Sequence, residues 1–166
     1  MLRDKSLVVL SHQHQHALAL CVEIQQSTMA PGSSTGSSIA SWQDRIQYAF
    51  ESEIELHFQA EERVLFPAAH KHDQLRLLIS ELIAEHTMLR SYRYAAMAFS
   101  MTSRDILEFA AALSLHIRKE EQQLFQGVQR VMDADELTSL GGALHEFFDR
   151  HARPEIEKST SIGNCS

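Results

Sequence analysis

Apolar residues recur at three- and four-residue spacing along almost the whole chain, and no stretch alternates long enough to mark a strand. The pattern predicts four long helices. The first runs from about Asp4 to Ser27, with Leu7, Leu10, His14, Leu18 and Cys21 on its apolar stripe. A segment rich in Gly and Ser, APGSSTGSSIAS, follows it, and residues 28–41 read as a loop insertion. The second helix starts near Trp42 and reaches about His70; Pro67, close to its end, predicts a kink or a stop. Lys71 to Asp73 make a tight reversal, and Asp73 is the candidate N-cap of a third helix that continues to about Phe99. Thr102 and Asp105 have capping-box spacing and open a fourth helix ending near Met132. A short fifth helix begins at Asp133 or Asp135 and loses its pattern before Pro154. Long helices joined by short turns pack most simply as an all-α, up-down-up-down four-helix bundle, here with an additional short C-terminal helix. Residues 1–155 are then one domain, and 156–166 a flexible tail.

Composition narrows the function more than the fold. With 166 residues, 44% of them hydrophobic, the chain is long enough to bury one sizeable core. A net charge of -7 argues against nucleic acid, which wants a basic face. No apolar run approaches the ~20 residues of a membrane span, and polar histidines end the brief apolar segment near the N-terminus too early for a secretory signal. Cys21 and Cys165 make no disulfide framework, so a reducing cytoplasm is the expected setting. The anomaly is histidine, of which there are 10.

Those histidines follow a repeat. Residues 57–66 read HFQAEERVLF and residues 116–125 read HIRKEEQQLF, and a lone core-facing histidine precedes each, His14 and His86. From His14 to His57 is 43 residues and from His86 to His116 is 30; the excess of 13 is about the length of the Gly/Ser segment. Each half is thus a helix pair carrying His, then His-x-x-x-Glu. Residues four apart share one face of a helix, so His57 with Glu61 and His116 with Glu120 project together. Both pairs lie on apolar stripes: Phe50, Ile54, His57, Glu61, Leu65 on one helix, and Phe109, Leu113, His116, Glu120, Leu124 on the other. A carboxylate buried there without a partner costs several kcal/mol, and no Lys or Arg on these stripes can pair with it. A metal can. The candidate ligands are therefore His14, His57, Glu61, His86, His116 and Glu120, enough for a dinuclear site within the bundle.

Other titratable residues compete for roles. His12 and His16, themselves four apart, are an alternative to His14 on the first helix. Glu62 and Glu121 turn about 100 degrees away from the stripe and read as surface charge, with support of a ligand as the other reading. Glu53 stands four residues before His57, where the other half has Ala112. A third carboxylate, a proton donor and a solvated residue are all consistent with it. His70 and His72 flank a turn, and the pairs His145/Asp149 and His151/Glu155 fall in the last helix, outside the repeat.

The segments LSHQHQHAL, HFQAEERVLFP, LIAEHTMLR and HIRKEEQQLF, over roughly residues 7–130, resemble the hemerythrin family, specifically its HHE cation-binding branch. The resemblance implies two non-haem iron ions, oxo- or hydroxo-bridged, held by the six residues above with both glutamates bridging. Zinc or manganese are substitutes the same donors accept. Oxygen carriers of the family supply a second histidine one turn after the third-helix ligand, where this chain has Arg90, and end in His-x-x-x-x-Asp, where it has His-x-x-x-Glu. The implied site is more symmetric than theirs. Binding or sensing of dioxygen, nitric oxide or peroxide is expected over reversible oxygen carriage, and a di-iron peroxidase or oxidase, or iron sequestration, is the alternative. No glutamate is followed by histidine three residues later, which excludes a ferritin-type Glu-x-x-His site. A phosphotransfer bundle needs an exposed histidine and is not expected. A homo-dimer is compatible with the sequence, and a signalling partner, if any, is a separate chain of unknown identity.

Overall fold

The computed structural model describes residues 2–28 and 35–152. All regular structure among them is helical. Asp4 caps a 3-10 turn, Lys5–Leu7, by accepting from the Ser6 N–H, and α1 follows as Val8–Thr28. The second helix, α2, is continuous over residues 35–69, and α3 spans Arg76–Met97. The fourth, α4, covers 103–131 and α5 is Ala134–Ala152. Short connections at 70–75 and 98–102 make α2, α3 and α4 antiparallel neighbours. In the bundle α1 packs along α4 and α2 against α3, while α5 closes one end against the Lys5–Leu7 turn and the Glu61–Leu65 stretch of α2. This is the expected four-helix bundle with a fifth helix.

Several boundaries differ from the sequence reading. Helix α2 starts at Thr35, inside the expected loop, because Ile39 and Trp42 pack on the core and draw the preceding turn into the helix. Residues 29–34 of that loop, and the expected tail 156–166, lie outside the described residues. Pro67 does not itself stop α2, which continues two residues further to Ala69. A π turn, Glu61–Leu65, stands immediately before it, so the helical ladder is already open where proline has no N–H to donate. Asp73 is not an N-cap: it is the first residue of a 3-10 turn, Asp73–Leu75, and pairs with Arg76 at 2.9 Å. The Thr102/Asp105 capping box is present. Asp133 caps α5, accepting from the Asp135 and Glu136 N–H groups, and Glu136 reaches back to the Asp133 N–H. With 19 residues, α5 is longer than its pattern suggested, and it contributes Leu140, Leu144 and Phe147 to the core.

The core is split in two. One apolar cluster contains Leu7, Leu10, Phe66, Leu82, Phe125 and the α5 residues. The other contains Cys21, Ile24, Phe50, Phe58, Leu89, Phe109 and Leu113. On each of the four helices the sequence passes from one cluster to the other across a candidate ligand: Leu10 to Leu20 across His14, Leu82 to Leu89 across His86, and likewise at 57–61 and 116–120. The polar layer is therefore a mid-bundle slab between two hydrophobic halves.

Candidate metal centre

All six candidate ligands meet in that slab, each between 0% and 5% exposed. They form two groups, His14/His57/Glu61/Glu120 and Glu61/His86/His116/Glu120, whose ligand atoms lie within 4.8 Å of one another. Both glutamates belong to both groups. The histidines pair across the helices, with Nε2 atoms 3.0 Å apart for His14 and His57 and 3.2 Å apart for His86 and His116. Glu120 turns one oxygen to each side: Oε2 is 3.1 Å from His14 Nε2, and Oε1 is 3.2 Å from His116 Nε2. Glu61 Oε2 is 3.4 Å from the Nε2 atoms of both His57 and His86.

Whether a cation fits can be judged from the donors themselves. All four oxygens of Glu61 and Glu120 are buried without a hydrogen-bond partner. Two carboxylates left so would be strongly destabilising, since removing them from water costs several kcal/mol each. A first-row cation with bonds of about 2.1 Å places neighbouring ligand atoms about 3.0 to 3.4 Å apart, from octahedral to tetrahedral geometry. The observed N···N and N···O separations fall largely in that range. The residues fit a metal pair.

The histidines are aimed from behind. His14 Nδ1 donates to Glu121 at 2.8 Å, His86 Nδ1 to Glu62 at 2.8 Å, His116 Nδ1 to Glu85 at 2.8 Å and His57 Nδ1 to Gln13 at 2.9 Å. Each contact fixes the proton on Nδ1 and turns the Nε2 lone pair inward, and a carboxylate there also makes the imidazole a better ligand. Beyond them stand cations: Arg3 on Glu121, Arg90 on Glu62 at 2.7 Å, and Lys119 on Glu85. Arg90, which occupies the place of the carriers' extra histidine, also bonds Glu55 and lies over the Phe58 ring. Glu62 and Glu121 thus hold candidate ligand histidines by hydrogen bonds and are not free surface charge. Gln13 and Glu85 were missed altogether. Their signal was adjacency: each of the four precedes or follows a ligand in sequence and serves a different ligand on a neighbouring helix.

Charge in the metal-free layer follows from these contacts. Burial disfavours the cationic form of every histidine here. Surrounding carboxylates outweigh it at three of them, raising His14 to about 9 through Glu120 and Glu121, His86 to about 11, and His116 to about 9. At His57, burial together with the charge on His14 holds the ring well below the ordinary imidazole value. Burial and the neighbouring Glu120 lift Glu61 to about 7. Glu120 stays well below the usual carboxylate range, because contacts with His116, His14 and His86 overcome its burial. Protons and cations compete for the same lone pairs.

Both candidate carboxylate ligands begin a π turn, Glu61–Leu65 and Glu120–Leu124, in which the Phe66 N–H bonds the Glu61 carbonyl and the Phe125 N–H that of Glu120. The extra residue rephases the helix after each ligand, a feature common at functional sites. No proline follows the second, so Pro67 exploits the π turn without causing it. The remaining residues lie elsewhere. His12 and His16 are exposed, with ring centroids 5.3 Å apart, and Glu53 binds His16 Nδ1 at 3.0 Å rather than joining the six. His70 is exposed, His72 lies 3.6 Å from Glu136, and the surface pair His145/Asp149 is 3.2 Å apart. His151 contacts the Phe147 carbonyl, and Glu155 is outside the described residues.

Fold and site together define a helical-bundle metal-binding protein with a shared-carboxylate pair of His/Glu clusters. The sequence profile of the Hemerythrin HHE cation binding domain matches residues 6–128, and the chain belongs to that family. None of the curated proteins and none of the solved structures compared with it gives a significant match. No helix among the described residues is long and apolar enough to cross a membrane.

Proposed function

We propose that the chain holds two iron ions in this layer and uses them to bind or sense small oxidants: dioxygen, nitric oxide or peroxide. The observation that carries the reading is the convergence of two buried carboxylates and four inward-turned imidazoles on one layer, in two groups that share both glutamates. Imidazole with carboxylate and no thiolate suits iron, with zinc and manganese as substitutes; Cys21 is buried in an apolar cluster away from the ligands. Iron supplies open coordination positions and redox chemistry when bound.

The protein's own residues set what reaches it. A cavity of about 20 Å³ touches His14, His57 and His116, and its other walls include Ala17, Ile54, Phe58, Leu113 and Ile117. That volume holds about one water-sized molecule. A diatomic or peroxide fits there, and an organic substrate does not. Phe58, stacked on His86 at 3.9 Å between ring centroids, and Phe125, stacked on His14 at 5.4 Å, keep bulk water from the ligands. Glu121, Glu62, Glu85 and Gln13 hold the Nδ1 protons so that each Nε2 stays available.

The test is optical. Iron-loaded protein is expected to show a near-ultraviolet charge-transfer band that shifts on adding nitric oxide or peroxide, and H57A to lose it. An iron-loaded protein whose spectrum ignores all three oxidants contradicts the reading. Consumption of many equivalents of peroxide per site would replace binding with peroxidase activity.

A further inference from the structure

The two halves of the repeat match at the ligands and diverge around them. Behind His116 stands Glu85, closed over by Lys119; the corresponding positions behind His57 are Gln13 and Ala60, an amide and a methyl. Glu53 and His16 correspond to Ala112 and Met88 of the other half. Glu53 also lies in a third π turn, Phe50–Ile54, which contains no ligand and has no counterpart in α4. The metal centre itself accounts for none of these differences.

Together they open one side of the bundle to cations. Behind His14, His86 and His116 the supporting carboxylates are each closed over by a cation held in an ion pair, Arg3, Arg90 and Lys119, whereas Gln13 behind His57 has none among the described residues. Behind His57, Glu53 has His16 as its ion-pair partner among the described residues. A surface groove of about 490 Å³ between α1 and α2 is lined by His16, Glu53, Glu23 and Asp44, and by Arg45, which is paired with Glu23 and leaves Glu53 and Asp44 as the groove's other carboxylates. It shares Ala17, Glu53 and Ile54 with the inner cavity that touches His14 and His57.

We propose that Glu53 and His16 form an outer binding point for a divalent cation, through which Fe²⁺ reaches the buried centre. This rests on the metal-centre reading. The outer site sheds part of the ion's water onto imidazole and carboxylate, and the ion passes between Ala17, Glu53 and Ile54 to the Gln13 side of His57. Glu53 is a loading residue and not a ligand of the final centre.

Metal-free protein is mixed with Fe²⁺ under anaerobic conditions, and iron protected from a fast chelator is counted against time. E53Q, which removes the focusing charge, is expected to slow uptake by about tenfold; H16A, which removes a donor beside it, slows it in the same direction, and both slow release to the chelator equally, with the final iron content unchanged. E108Q, whose carboxylate pairs with Arg104 on an exposed face, keeps the parent rate. Uptake by E53Q within about twofold of the parent overturns the proposal, and so does failure of E53Q to retain iron at equilibrium, which makes Glu53 a ligand. Failure of the parent chain to take up any iron overturns the metal-centre reading instead.

Discussion

Replacing Glu120 with Gln empties both metal positions at once. Its two oxygens face opposite His pairs, so no arrangement of the remaining five donors rebuilds either cluster with a bridging charge. Metal content is expected to fall from about two ions per chain to near zero, with affinity reduced at least about a hundredfold. Glu61→Gln behaves alike. His14→Ala removes a donor from one group only, and about one ion stays on the His86/His116 side. Glu62→Gln acts through His86 and weakens binding by about 10- to 100-fold without abolishing it. His145→Ala, at an exposed pair on α5, changes nothing. Metal analysis with titration calorimetry ranks the series. Equal iron in the parent, E120Q and H14A proteins removes the six residues from the ligand set.

Stripping the metal destabilises the fold, and the loss grows with pH. A ligand present at about a thousand times its Kd adds about 4 kcal/mol to the folded state, or roughly 8 to 16 °C in melting temperature for a domain of this size. In the metal-free protein, His14 and His116 at about 9 and His86 at about 11 are raised above the ordinary 6.5. Groups raised on folding contribute stability that is complete below pH 6.5 and fades as pH climbs through 9 toward 11. Glu61, raised from 4.5 to about 7, acts in the same direction in a lower window. His57, lowered on folding, opposes them at acid pH. The metal-free chain therefore weakens from neutral to alkaline pH while the loaded chain does not, and thermal melts at pH 6.5 and pH 9 measure the widening gap. A gap that narrows with pH contradicts it.

The sequence exposed the six candidate ligands because their geometry is local and repeated. A His and a Glu four apart share a face whatever the helix packs against, and Leu, Ile and Phe above and below showed that this face turns inward. His14 was separable from His12 and His16 because only it lies in phase with Leu10 and Cys21, and in the structure it is the buried one of the three. What escaped depends on neighbours across the bundle. Gln13 and Glu85 look like surface residues on their own helices and acquire a role only when α1 meets α2 and α3 meets α4. The π turns keep the same four-residue spacing on paper and alter only which carbonyl each N–H finds. The start of α2 at Thr35 runs against its Gly and Ser content, since packing of Ile39 and Trp42 overrides weak propensity. Glu53 stayed ambiguous because its partner, His16, comes from another helix.

Anomalous diffraction at the iron edge, from crystals of iron-loaded protein, tests the central claim most directly. Two peaks a few Å apart are expected, one beside the His14/His57 pair and one beside His86/His116, each touching both Glu61 and Glu120. A single peak at the surface, or density that leaves Glu61 and Glu120 without a cation between them, contradicts the account.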